Sequence, residues 1–135
     1  MIHDLKIKIF ADGADLQSIL KLSSNPLISG FTTNPTLMKK AGVKNYEDFA
    51  AELITLVPDK PISFEVFADD LQEMERQARV IATWGENVNV KIPIMNTSGV
   101  FTGPIIKALS NDGIKLNVTA IMTSEQVGRV IQVLS

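Results

Sequence analysis

The chain contains no cysteine and a single histidine, His3, among 135 residues. Without thiols there are neither disulfides nor thiolate metal sites, a composition that fits a reducing compartment. That histidine reads as a surface residue near the terminus, which argues against a serine–histidine–aspartate triad and most zinc sites. No apolar run is long enough to span a bilayer, and Met1-Ile2-His3-Asp4-Leu5 is too short and too charged for a secretory signal. Neither G-x-G-x-x-G nor G-x-x-x-x-G-K-[ST] occurs, so these signatures of a nucleotide-binding turn are missing. Net charge is only −2 with no basic cluster, which argues against a nucleic-acid surface. The expectation is a cytoplasmic, soluble protein with no membrane or nucleic-acid partner. With 45% hydrophobic residues, 1–135 reads as a single domain with a real core.

Strand and helix patterns alternate along the whole chain. Lys6 to Ala11 reads as a first strand ending at Asp12-Gly13, followed by a helix from about Asp15 with Leu16, Ile19 and Leu20 on one face. Leu27 to Phe31 is a second strand, running into a polar loop, Thr32-Thr33-Asn34-Pro35-Thr36. Asn45 has the position of an N-cap for a helix carrying Tyr46, Phe49, Ala50, Leu53 and Val57. Ile62 to Phe67 is a third strand; Asp70 and Glu73 then resemble a capping box, and Gly85 ends that helix. A fourth strand spans Asn87 to Pro93, and a helix holding Ile105, Ile106 and Leu109 stops at Ser110-Asn111-Asp112-Gly113. Ile114 to Ala120 is a fifth strand. Thr123 and Gln126 have capping-box spacing for a last helix, with Val127, Val130, Ile131 and Leu134 on its inner face.

Five strand–helix units in alternation predict a parallel sheet, because a right-handed crossover returns each strand parallel to the last. Side-chain parity separates a doubly wound sheet from a (β/α)8 barrel. Val88, Val90 and Ile92 point one way; Asn89 and Lys91 point the other. Lys8, Phe10 and Asp12 share a face in the first strand, as do Ser63, Glu65 and Phe67 in the third and Asn117 and Thr119 in the fifth. A doubly wound sheet buries apolar side chains on both faces. A (β/α)8 TIM barrel instead gathers one face on its axis and places its site at the carboxyl ends of the strands.

An isolated lysine in this setting would pack its stem and send its ammonium to water. Grouped with two carboxylates, two amides and hydroxyls, Lys91 allows Schiff-base chemistry: attack on a ketone, then use of the iminium as an electron sink for an adjacent carbon–carbon bond. The amine must be neutral to attack; burial favours that form, whereas a close Glu65 favours the ammonium. Asp12 is suited to proton transfer, and Glu65 with Thr119 to holding the water that dehydrates the carbinolamine. Three other readings stay open: a buried network of paired charges without chemistry, a Mg²⁺ site at Asp12 and Glu65 opposed by the lysine, and an anion-binding module.

The stretches Phe10-Ala11-Asp12, Gly30-Phe31-Thr32-Thr33-Asn34-Pro35-Thr36, Ser63-Phe64-Glu65-Val66, Val90-Lys91-Ile92-Pro93 and Leu116-Asn117-Val118-Thr119-Ala120 resemble the transaldolase family, in the short-chain branch that includes the fructose-6-phosphate aldolases. The resemblance implies a (β/α)8 barrel and a class I mechanism with no metal or organic cofactor. It implies Lys91 as Schiff-base residue, Asp12 as acid/base, Glu65 and Thr119 on the catalytic water, and Asn34, Asn117 and Thr32 on donor hydroxyls. Glu65, and Asn117 ahead of Thr119, are similar to the transaldolases; the aldolase branch typically carries Gln and Gly there. The implied activity moves a dihydroxyacetone unit from sedoheptulose 7-phosphate or fructose 6-phosphate to an aldose phosphate, within the pentose phosphate pathway, in a homo-oligomer. Free-dihydroxyacetone aldol chemistry is the alternative. The family's barrel has eight units, and this chain reaches about the fifth. The sixth strand, with the serine and arginine that hold the substrate phosphate, lies beyond Ser135. Arg76, Arg79 and Arg129 fall on helices and do not replace them. The expectation is the amino-terminal part of a longer enzyme, or a truncated product that closes its barrel by association and is otherwise inactive.

Overall fold

The computed structural model describes residues 4–134; His3 lies outside the described residues. Two compact units divide the chain, one running through Phe64 and including Gly85–Val88, the other formed by Glu65–Trp84 and the chain from Asn89 onward.

In the first unit, β1 (Ile9–Asp12) leads into α1 (Leu16–Ser23), β2 (Ile28–Thr32), α2 (Pro35–Lys40), α3 (Tyr46–Leu56) and β3 (Ile62–Glu65), whose last residue passes into the second unit. β1 and β2 are parallel with Asp12 opposite Thr32, and β2 and β3 are parallel with Thr32 opposite Ser63. The helices start where a side-chain oxygen caps an amide that has no partner within the helix: Asp15 for Ser18, Asn34 for Leu37, Asn45 for Asp48. Phe31, Leu53, Ile62 and Phe64 are fully buried, and Tyr46 meets Phe64 edge-on at 6.0 Å between ring centres.

The second unit contains α4 (Leu71–Ala82), β4 (Val88–Pro93) from Asn89, α5 (Gly103–Asn111), β5 (Leu116–Thr119) and α6 (Ser124–Ile131). β4 and β5 run parallel, with Lys91 opposite Asn117 and Pro93 opposite Thr119. Met74, Ala78 and Ile81 form the buried stripe of α4, and Val90, Ile92, Ile94, Ile106 and Leu109 are fully buried. Strands bond in sequence order within each unit, β1-β2-β3 in the first and β4-β5 in the second. Alternating strands and helices with parallel pairings are the α/β architecture of the first units of a (β/α)8 barrel.

Several elements differ from the sequence expectation. β1 starts at Ile9 rather than Lys6, and an irregularity between Ile9 and Phe10 breaks its register, so Lys8 lies outside the strand. β3 stops at Glu65 rather than Phe67 because the Phe67 and Ala68 amides turn to the Gln77 side chain. The Thr32–Thr36 stretch is not a loop throughout: Thr32 ends β2, Asn34 caps α2, and Pro35 occupies the first turn of that helix, where its missing N–H costs nothing. α4 ends at Ala82, three residues before Gly85, and Glu73 does not complete a capping box because Arg76 takes its carboxylate. β5 is trimmed to Leu116–Thr119 by Ala120, whose φ of 60° turns the chain out of the strand.

The inner face assigned to the last helix is also corrected. Val130 is buried at 5% exposure, whereas Val127, Ile131 and Leu134 are 44, 66 and 43% exposed. Among the described residues, too little lies against that side of α6 to cover it. Leu20 on α1 is likewise half exposed.

Candidate active site

The alternation expected around Lys91 is observed. Val88, Val90 and Ile92 are buried on one face of β4, while Asn89, Lys91 and Pro93 are half-buried on the other. Apolar contact on the first face holds the strand, and this obliges Lys91 to project from the second. Glu65, at the end of β3, meets it: Lys91 Nζ lies 3.6 Å from Glu65 Oε2, with the two side chains only 12 and 20% exposed. At that separation the pair is an electrostatic contact beyond ordinary hydrogen-bond reach. The backbones are tied at the same level, the Val66 amide donating to the Lys91 carbonyl at 3.1 Å.

The far end of β4 is fixed from two sides. The Ile94 amide donates to the Thr119 carbonyl at 3.0 Å, so β5 is locked beside β4 at the level of Thr119. Thr102, fully buried, donates its hydroxyl to the Pro93 carbonyl at 2.6 Å, and its amide donates to the Ile94 carbonyl. Thr123 and Gln126 form the reciprocal capping box expected of them, which fixes the turn after Ala120.

A further tie anchors the loop after β4. Asp69 accepts from both the amide and the hydroxyl of Thr97 at 2.7 Å, and these bonds hold its carboxyl below the usual carboxylate range. The sequence pattern gave no sign of Asp69, Gln77 or Thr102. The first two have partners distant in sequence, and Thr102 answers a backbone carbonyl.

In the first unit, Thr32 donates its hydroxyl to Asp12 Oδ1 at 2.7 Å, and the Gly13 amide donates to the Thr32 carbonyl at 3.0 Å. Asp12 and Thr32 therefore form one polar pair at the carboxyl ends of β1 and β2. Asn34 Oδ1 accepts from the Leu37 amide at 2.9 Å, which gives this oxygen a structural duty as the cap of α2. Asn117 stands at the register position opposite Lys91, and Thr119 opposite Pro93. Of the seven sequence-derived candidates, then, Glu65 and Lys91 form one close pair and Asp12 and Thr32 another. The first pair can present an amine to a carbonyl compound, and the second, taken by itself, can move a proton on a hydroxyl.

Among the described residues, no helix is long and apolar enough to cross a membrane. No group of three or more histidine, aspartate or glutamate side chains gathers there into a metal-binding cluster.

The family described as Transaldolase/Fructose-6-phosphate aldolase matches residues 9–134. A probable transaldolase of Dehalococcoides mccartyi is 38% identical over 120 residues, covering 89% of this chain and 54% of the relative. Probable transaldolases of Methanococcus maripaludis and Hyphomonas neptunium are 39 and 40% identical over the same length, with 53% of each covered. The chain thus spans about half the length of these relatives.

Proposed function

Because the chain belongs to the transaldolase/fructose-6-phosphate aldolase family, we propose that it carries the imine-forming half of a dihydroxyacetone-transferring site, with Lys91 as the amine. The observation that carries this is the Lys91–Glu65 pair, shielded from water at the carboxyl ends of adjacent strands. Neutral Lys91 adds to the ketone of a ketose phosphate, and loss of water from the carbinolamine leaves an iminium. Glu65 and Thr119 hold that water. Asp12 takes the proton from the substrate hydroxyl as the neighbouring carbon–carbon bond breaks; its electrons pass to the iminium, an aldose phosphate departs and an enamine stays on Lys91. The enamine attacks an acceptor aldose phosphate, and hydrolysis frees Lys91. Thr32, Asn34 and Asn117 bind donor hydroxyls.

Glu65 in place of Gln, and Asn117 in place of Gly, favour transfer between sugar phosphates over free-dihydroxyacetone chemistry. We place this activity in the cytoplasm, in carbohydrate metabolism of the pentose phosphate type, and in a homo-oligomer that needs no cofactor. A second reading is an aldolase-like lyase, the other activity that the family's description carries.

The test is borohydride reduction in the presence of fructose 6-phosphate, read by peptide mass. An adduct on Lys91 that disappears in Lys91→Ala supports imine chemistry; no adduct on the wild-type chain overturns it. Free dihydroxyacetone as donor then separates lyase from transferase.

A further inference from the structure

We propose that a cavity in the first unit binds an organic cation, an amine whose nitrogen is held by carboxylates while its apolar body lies on Phe49. The cavity measures about 700 Å³, within the size range of small-molecule sites. It opens between the start of α1, the connection from α2 to α3, and the first two turns of α3. It lies within one unit and shares no lining residue with the proposed imine site.

The least accessible part of the lining is apolar. Phe49 and Ala14 are 6 and 7% exposed, and Leu16 and Val43 are half-buried. The charged part is unequal, with Asp15, Asp48 and Glu52 set against Lys44. Asp48 and Glu52 stand one turn apart on α3, a like-charge pairing that works against the helix. Among the described residues neither carboxylate has an ion-pair partner, although Lys44 lines the same cavity. This acidity is therefore not consumed within the fold.

Helix starts ordinarily favour anions, and those of α1 and α3 both open on the cavity. Here they are already answered. Asp15 accepts from the Ser18 amide at 3.0 Å, Asn45 accepts from the Asp48 amide at 3.1 Å, and the first turn of α3 carries Glu47 and Asp48. The Ser18 hydroxyl and amide hold the Asp15 carboxyl below the usual carboxylate range, so it brings a full negative charge to the cavity while serving as a cap. What remains is an apolar floor under an excess of negative charge, the complement of an ammonium joined to a hydrocarbon or aromatic body.

The probe is phenethylammonium, titrated into the wild-type chain and followed by backbone amide chemical shifts. A saturable change centred on residues 14–17, 41–45 and 48–52 is expected. Ethylammonium, which lacks the ring, binds about tenfold more weakly, because less apolar surface is buried. Benzoate, which keeps the ring and reverses the charge, gives no saturable change there. Asp48→Asn and Glu52→Gln each weaken the probe about fivefold, the size of one close charge contact in a water-like dielectric. Lys44→Gln removes the opposing charge and tightens binding about twofold. All three side chains are exposed, so urea midpoints close to wild type are expected, and a loosened fold would not give shifts of opposite sign in one cavity.

No saturable change by about 20 mM probe, beyond which binding is weaker than a specific site of this size warrants, overturns the proposal. So do changes confined to other residues, equal affinity for benzoate, unchanged affinity in the Asp48→Asn, Glu52→Gln double variant, or weaker binding in Lys44→Gln. The proposal does not draw on the imine reading of Lys91, since the probe carries no carbonyl and its binding is read in the first unit alone.

Discussion

Replacing Lys91 by Met and Glu65 by Gln, singly and together, tests whether these two side chains are energetically one unit. At 3.6 Å the attraction of opposite unit charges is about 4.6 kcal/mol at an effective dielectric of about 20 and about 1.2 kcal/mol in bulk water. With side chains 12 and 20% exposed, the pair lies between these limits. Desolvation removes part of the gain, so the coupling expected is about 1–2 kcal/mol. Each single substitution removes this contact and lowers stability. The double substitution removes both charges and is less destabilised than the sum of the singles. Urea unfolding of the four proteins at neutral pH gives the coupling as a double-mutant cycle. Additivity to within about 0.5 kcal/mol would show that the carboxylate and ammonium do not interact, and would remove the observation on which the functional proposal stands.

Gly30→Ala should destabilise the first unit severely, by about 3 kcal/mol or more, because a Cβ there would meet the Phe10 ring and lie 2.6 Å from the Pro61 carbonyl; a urea midpoint unchanged from wild type would contradict this. The Asp69–Thr97 tie predicts a pH dependence. The folded-state carboxyl is shifted down, so its stabilisation is complete above the ordinary carboxylate range and disappears as pH falls through the lower, folded value. The stability advantage of wild type over Asp69→Asn should therefore be present at neutral pH and vanish in acid, as urea midpoints across the pH range would read.

What could be read from the sequence was local or periodic. Val88, Val90 and Ile92 declared the buried face of β4, and with it the direction of Lys91. Thr123 and Gln126 announced their own reciprocal cap within four residues. The Glu65–Lys91 contact followed because both side chains stand on strands whose parity was set by apolar neighbours. The errors lie where a distant partner decides. Phe67 has strand chemistry, yet its amide is taken by a glutamine ten residues on. Pro35 punctuates a loop in most contexts, but with Asn34 as cap it opens a helix of six residues, too short to show periodicity. Apolar spacing in α6 correctly marked a helix and a single face. Spacing alone could not say whether anything lies opposite Val127, Ile131 and Leu134, which depends on neighbours that the pattern does not encode.

Because β2 and β3 each bond to the strand before in the first unit, and β5 bonds to β4 in the second, no strand within a unit must wait for a later one to be threaded between its neighbours. A chain of this order can be laid down unit by unit as it leaves the ribosome, each new crossover settling on an edge already prepared. Within each unit, assembly is vectorial.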